Sequence, residues 1–211
     1  MLQISDLFDV LVPPTCLACE LSTVEPLHEG LCVGCWSELS LRLRPVAGPP
    51  SVVRCWSMGD YAGVLGRLVR AAKYRGSLDA ADRLGAWLGE MVGGVIDVDA
   101  IVPVPIPWFR RLWRGFDQSE RLARGVGCVS GLPVHPLLFR ADSSRQVGKS
   151  AKDRRMLSPD VFGLRPLPSP SRVLLIDDVM TTGATLHAAS RRLQASGVQA
   201  VWAAVVADTD V

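Results

Sequence analysis

One stretch, Val173-Leu-Leu-Ile-Asp-Asp-Val-Met-Thr-Thr-Gly-Ala-Thr-Leu186, restricts the fold of this chain more than any other. Its opening residues, Val173 to Ile176, form an apolar run of the length and composition of a strand buried on both faces. Asp177 and Asp178 follow at once. A short loop of hydroxyls and small residues comes next: Thr181, Thr182, Gly183, Ala184 and Thr185. Leu186, Ala189 and Leu193 then fall on one helical face, and Gly197 ends the pattern. Strand, acidic pair, small-residue loop and helix are one half of a βαβ unit with its ligand end exposed.

Each part suits a particular chemistry. A loop feeding a helix N-terminus offers unpaired backbone N–H groups and the positive end of the helix dipole, so it binds phosphate. Gly183 lets the backbone approach an anion, and Thr181, Thr182 and Thr185 add hydroxyl donors. Asp177 and Asp178 would repel that phosphate. They suit what lies beside it, the paired hydroxyls of a ribose with a divalent cation nearby. Phosphate on one side and a diol on the other describe a 5-phosphoribosyl group. The stretch resembles the phosphoribosyl-pyrophosphate (PRPP) motif of type I phosphoribosyltransferases. The alternative is an ordinary buried strand and helix joined by an acidic turn, but the spacing Asp-Asp-x-x-Thr-Thr-Gly-x-Thr is hard to reach by chance.

At 211 residues the chain has room for one full domain and a small appendage. The formal net charge is only +2, so its distribution says more than its sum. Between Trp108 and Arg155 there are eleven Arg and Lys against four Asp and Glu, which leaves the remainder of the chain acidic. That cationic segment suits pyrophosphate or a nucleic-acid backbone. Met1 to Val12 has no basic start, and Asp6 and Asp9 interrupt its apolar residues, so it does not read as a secretory signal. Nothing reaches the roughly 18 apolar residues needed to span a bilayer. These features predict a cytoplasmic protein without membrane insertion.

Cys16-x-x-Cys19 and Cys32-x-x-Cys35 lie twelve residues apart. Paired knuckles of this kind bring four thiolates within tetrahedral reach of one zinc ion, the expected metal site. A disulfide reading needs an oxidising compartment, and a redox site would need one such pair beside a βαβ unit. His28 is a spare ligand. Cys55 and Cys128 fall outside the pattern and are expected to be buried small apolar residues.

The remaining pattern organises the chain around that core. Residues 2–11 read as a short amphipathic helix ended by Pro13-Pro14. Residues 45–51 read as a linker, and a strand is expected over 52–56. Helices are expected over 64–73 and 79–92. Ala100-Ile-Val-Pro-Val-Pro-Ile-Pro107 is a strand broken by alternating prolines, placed where open α/β sheets bind ligands. A helix carrying Leu122, Ala123 and Val126 follows. Residues 140–162 are a long polar run, read as a mobile hood over the site. Pro166 to Pro170 is a turn into the Val173 strand, and Val198 to Ala207 is a last buried strand. Trp108, Phe109, Trp113 and Phe116 interleave with arginines. Burial in core and loops is favoured for them, because large apolar side chains are mostly covered.

Taken in order, the chain resembles the ComF competence family of phosphoribosyltransferase-like proteins. The likeness rests on the four-Cys knuckle, Lys73-Tyr-Arg-Gly76, the Val-Pro-Val-Pro strand end, Arg114-Gly-Phe-Asp-Gln118 and the Asp177-Asp178 loop. Asp117 departs from the family's usual Asn. The hood offers Arg154, Arg155 and Met156 in place of its Arg-x-x-Asn pattern. The resemblance implies an α/β fold of the type I phosphoribosyltransferase kind: a mostly parallel sheet with a mobile hood, preceded by a small zinc-binding module. The boundaries that follow are 1–44 for the N-terminal helix and zinc module, 45–51 for the linker and 52–211 for the phosphoribosyltransferase-like domain. The resemblance also implies a link to single-stranded DNA uptake in transformation, beside a helicase-type partner.

Transfer from PRPP passes through a ribosyl cation as pyrophosphate leaves. It needs magnesium on the leaving group, cationic donors around it and an oriented nucleophile. Within the resemblance, Asp177, Asp178 and Lys73 are the catalytic candidates. Arg110, Arg111 and Arg114 join Lys73 near the pyrophosphate, and Thr181, Thr182, Gly183, Ala184 and Thr185 complete the PRPP site. Purine-salvage relatives carry a carboxylate where Thr181 stands, so a purine-salvage activity is not expected. Three readings stay open: a magnesium-dependent transferase using PRPP, a non-catalytic sensor of PRPP or a nucleotide, and an adaptor holding single-stranded DNA on the arginine–aromatic segment.

Overall fold

The strand expected from Val173 runs from Arg172 to Met180 and carries both aspartates within it. Around it, the computed structural model describes residues 13–141, 161–166 and 170–209. In chain order the described elements are α1 (Val33–Glu38), β1 (Arg44–Val46), β2 (Cys55–Ser57), α2 (Gly63–Tyr74), α3 (Leu78–Val92) and β3 (Ala100–Pro103). They continue with α4 (Trp108–Arg114), α5 (Gln118–Ser130), β4 (Leu138–Arg140), β5 (Phe162–Leu164), β6 (Arg172–Met180), α6 (Ala184–Gln194) and β7 (Ala200–Asp208). Among the described residues, no helix is long and apolar enough to cross a membrane.

Five strands form one sheet in the order β1-β2-β7-β6-β3. β2, β7, β6 and β3 run parallel, and β1 lies antiparallel at the edge. The fold is thus the mostly parallel α/β sheet expected. Because successive side chains point to opposite faces, each central strand feeds two cores. Leu174, Ile176, Ala204 and Val206 face a layer containing Leu68 of α2, Leu84 and Leu88 of α3, and Leu122 of α5. Val173, Leu175, Val201, Ala203 and Val205 face Leu186, Ala189 and Leu193 of α6, with Phe162 beside them. Burying one such leucine contributes about 1.5–3 kcal/mol, so register errors in β6 or β7 are heavily disfavoured.

Local signals set the helix ends. Ser77 caps α3 by accepting from the Ala80 N–H at 3.2 Å, and Asp117 caps α5 by accepting from the Glu120 N–H at 3.1 Å. α3 and α5 approach so closely that a Cβ on Gly85 would lie 2.7 Å from the Leu122 carbonyl oxygen. Glycine is what allows that packing.

The differences from expectation are informative. β3 ends at Pro103, although Val104 still donates to the Ile176 carbonyl at 3.0 Å. Pro105 and Pro107 have no N–H to extend the ladder, and the chain leaves the sheet. The short helix α4 was not expected; it starts after Pro107 and stops at Gly115, whose φ is +80°. The stretch expected as a linker begins in β1, which pairs with β2. Cys55 is buried as expected, but Cys128 is exposed, because its position on α5 faces away from the layer holding Leu122 and Val126. The expected helix at 2–11 lies outside the described residues, as do 142–160 of the expected hood and 167–169 of the expected turn. The flanks of the hood are described and form the antiparallel pair β4–β5.

Candidate phosphoribosyl site and four-cysteine cluster

β3 ends at Pro103 opposite Ile176, β6 runs on to Met180, and the chain leaves them into the proline-rich exit and the α6 loop. A cavity of about 180 Å³ lies there, with Lys73, Arg110, Arg114, Asp177, Asp178 and Thr185 on its wall. This is the carboxyl end of a parallel sheet, where loops rather than sheet bonds occupy the backbone groups. Gly183 begins α6 with φ +71°, a left-handed conformation that favours glycine and turns the chain from strand into helix.

The two aspartates are differently held. Asp178 Oδ1 lies 2.8 Å from Lys73 Nζ, with both side chains mostly covered. Asp177 Oδ1 accepts from the Ser119 hydroxyl at 3.2 Å and from the Asp178 N–H at 2.8 Å. Burial pushes the Asp177 carboxyl up to about 7; the neighbouring Asp178 charge adds to the rise, while the Asp178 N–H, Lys73 and Ser119 oppose it. One carboxylate is therefore paired and the other is held close to its protonation point.

Of the residues expected from sequence, Lys73, Arg110, Arg114, Asp177, Asp178 and Thr185 meet at this cavity. Arg111 does not. It turns along α4 to a neighbouring cavity and lies 3.9 Å from Glu120. Thr181, Thr182, Gly183 and Ala184 form the loop at the head of α6, where the Ala184 N–H donates to Thr182 Oγ1 at 3.4 Å. Residues that motif reading missed also take part. Arg140 lines the cavity from β4, with its guanidinium 5.1 Å from the centre of the Phe162 ring. Burial pulls its pKa below the ordinary value and Arg110 adds to the fall, whereas Asp177 opposes it. Tyr74 lies under Arg114, 5.6 Å from guanidinium to ring centre. The one signal for Ser119 was its place beside Gln118 in the family-like run. Arg140 was signalled only as the first residue of the expected hood, with no role assigned to it.

The aromatic residues of α4 overturn the expectation of burial. Trp108 is 61% exposed and Trp113 70% exposed, with Phe109 and Leu112 also open. α4 has no buried residue, because it lies beyond the strand ends and no described layer covers it. Phe116, after the helix, does pack against the core. Asp117 holds the entry to α5 and also accepts from the Ile106 N–H at 3.3 Å, which ties the proline-rich exit to that helix.

A second constellation sits under α2. Cys16, Cys19, Cys32 and Cys35 place their sulfurs within 4.8 Å of one another. Four thiolates at about 2.3 Å from one zinc would stand roughly 3.8 Å apart, and the Cys19 and Cys32 sulfurs are 3.8 Å apart. The cluster can hold a metal ion. Arg67 reaches Cys35 Sγ at 3.7 Å, so the cationic side of α2 faces the thiolates. His28 is not part of the cluster; its ring lies 4.0 Å from that of Trp36.

Sheet, acidic strand end and glycine-turned loop define a domain of the type I phosphoribosyltransferase class. A family model described as "Phosphoribosyl transferase domain" matches residues 118–210. The chain is 35% identical over 108 residues to "Competence protein F" of Haemophilus influenzae, covering 49% of this chain and 47% of that protein. It is 38% identical over 98 residues to "Competence protein ComFC" of Bacillus subtilis, covering 46% of this chain and 39% of that one. With "DNA utilization protein YhgH" of Salmonella typhi it shares 30% identity over 164 residues, 72% of this chain and 71% of that one. The chain belongs to the ComF family of phosphoribosyltransferase-like proteins. The matches to the first two relatives span less than half of their length.

Proposed function

We propose that this chain binds PRPP with magnesium at the cavity below the α6 loop and works in the handling of DNA taken up by the cell. The observation that carries the ligand reading is the convergence of Lys73, Arg110, Arg114, Asp177, Asp178 and Thr185, from α2, α4, β6 and the first turn of α6, on one cavity. The link to DNA is supported by the names of the relatives, two competence proteins and a DNA utilization protein. The helicase-type partner rests on the family resemblance alone.

In this reading the α6 loop takes the 5-phosphate on backbone N–H groups and on the hydroxyls of Thr181, Thr182 and Thr185. Asp177 and Asp178 accept from the ribose hydroxyls. Lys73, Arg110 and Arg114 face the pyrophosphate, with Arg140 as a further cation. The acidic pair and the pyrophosphate oxygens would hold magnesium, which neutralises charge on the leaving group. Zinc fits the four thiolates and would stabilise the knuckle against which α2 packs.

The test is calorimetric titration with PRPP and magnesium. Charge-assisted hydrogen bonds contribute about 1.5–3 kcal/mol each, so Asp177→Ala or Asp178→Ala should lower affinity on the order of tenfold or more. Equal affinity in wild type and both variants, with intact circular dichroism, would refute the reading.

A second reading has its own observation, the exposed Trp108, Phe109 and Trp113 set among Arg110, Arg111 and Arg114. Aromatic rings beside arginines suit stacking on unpaired bases, so this surface supports single-stranded DNA binding. Binding should weaken steeply with salt and fall in Trp113→Ala. Indifference to both would remove this reading.

A further inference from the structure

The start of α5 buries three consecutive polar side chains, Asp117, Gln118 and Ser119, the last two fully. They directly precede Leu122, Ala123 and Val126, which the same helix gives to the core. Buried polar side chains are tolerated where hydrogen bonds replace the lost water. Each of the three reaches a different part of the phosphoribosyl cavity. Asp117 accepts from the Ile106 N–H in the proline-rich exit, and Ser119 donates to Asp177 on β6. Gln118 Oε1 accepts from Arg114 Nη1 at 3.1 Å.

Gln118 is unlike its two neighbours in using only half of its polar group. Its Nε2 is buried and has no hydrogen-bond partner among the described residues. An unmet buried donor lowers stability, and a methionine of similar size would remove it. Stability therefore does not account for a glutamine here. What the residue provides is an acceptor for Arg114. The two are four apart in sequence but do not share a helix. α4 ends at Arg114, Gly115 turns the chain at φ +80°, and α5 begins at Gln118. The turn makes this contact, where in an unbroken helix the spacing alone would. α4 has no buried residue to anchor its end. Without Gln118, the one polar or ring contact left to this guanidinium among the described residues is the ring of Tyr74, 5.6 Å away and itself exposed.

We propose that Gln118 is a positioning residue, which sets the Arg114 guanidinium on the wall of the cavity for a pyrophosphate group. The ligand in this statement rests on the PRPP reading; the hold on Arg114 does not. Gln118→Met, titrated calorimetrically as the full chain, should weaken PRPP with magnesium about tenfold, the loss of one oriented charged contact. Ribose 5-phosphate, which lacks the pyrophosphate, should bind within about twofold of wild type. On an Arg114→Met background the same change should alter PRPP affinity by no more than about twofold, because its effect passes through Arg114. The urea midpoint of Gln118→Met should equal or exceed that of wild type, since the variant removes the unmet donor. Arg114 is also followed without ligand. Its Nε is buried, so its N–H should give a resolved signal in an arginine side-chain NMR spectrum, assigned by its loss in Arg114→Lys. In Gln118→Met that signal should shift or broaden. PRPP affinity equal to wild type in Gln118→Met would overturn the proposal. So would equal weakening of PRPP and ribose 5-phosphate with a lower urea midpoint, the mark of a merely structural residue. If wild type itself does not bind PRPP, the PRPP reading falls and the Arg114 signal decides: a shifted or broadened signal sustains the positioning role. An unchanged signal overturns it in either case.

Discussion

Lys73→Met tests the centre of the site through stability and binding together. Lys73 Nζ is 2.8 Å from Asp178 Oδ1, and the two side chains are only 15% and 11% exposed. Solvent and salt screen such a pair weakly. Removing the cation leaves Asp178 beside Asp177, whose carboxyl burial already pushes up to about 7. Truncating one partner of a buried pair costs about 3–5 kcal/mol. The residual exposure of this pair argues for the lower end, about 3 kcal/mol. At roughly 2–4 °C per kcal/mol for a chain of this size, Tm should fall by about 6–12 °C. Lys73→Met combined with Asp178→Leu removes both charges and should recover much of that loss, since an apolar pair of similar volume is tolerated. Under the proposed function PRPP affinity should not recover, because both groups line the cavity assigned to that ligand. Urea unfolding of wild type, both single variants and the double gives the coupling energy, expected to exceed about 1.5 kcal/mol. Effects that add within about 0.5 kcal/mol would refute the reasoning.

The remaining predictions concern the loop, the metal and pH. Gly183→Val places a β-branched residue at φ +71° and should cost about 1–3 kcal/mol, with binding of both PRPP and ribose 5-phosphate lost; Gly183→Asn, which tolerates that conformation, should unfold at higher urea than the valine variant. Purified protein should carry about one zinc per chain by elemental analysis, and metal content unchanged in Cys16→Ser or Cys32→Ser would exclude the four-thiolate site. Asp177 has a folded-state value raised from 3.8 to about 7. Between those limits the unfolded chain has released a proton that the folded chain keeps, so its contribution makes stability fall as pH rises from about 4 to 7 and level off above. Asp177→Asn should flatten that part of the urea-midpoint profile; an unchanged slope would show that another group is responsible.

Much of the site was legible because its signals are local. The Asp177–Thr185 run specifies strand, acid pair, turn and helix within a few residues, and the apolar periods of α2, α3 and α5 name their own buried faces. The four cysteines needed only their spacing to suggest a cluster, and the chain brings them together. Gly183 likewise marks a positive-φ turn that few other residues could make.

Other features depended on which distant elements came to lie together. No sequence pattern sets Lys73 against Asp178; that contact follows from packing α2 over the end of β6. Arg110 and Arg111 are adjacent in sequence, yet a helix turns neighbouring side chains by about 100°, so one lines the first cavity and the other the second. Arg140 joins the site only because β4 delivers it beside Phe162 and Asp177. The aromatic residues of α4 misled a composition rule, since hydrophobic side chains become buried only where another layer exists to receive them, and among the described residues none covers α4. Sequence alone determined the strand, turn and helix of the Asp177–Thr185 run, the buried faces of α2, α3 and α5 and the spacing of the four cysteines. Tertiary structure decided which charges meet and which rings stay open, because those outcomes depend on distances between segments that local pattern does not encode.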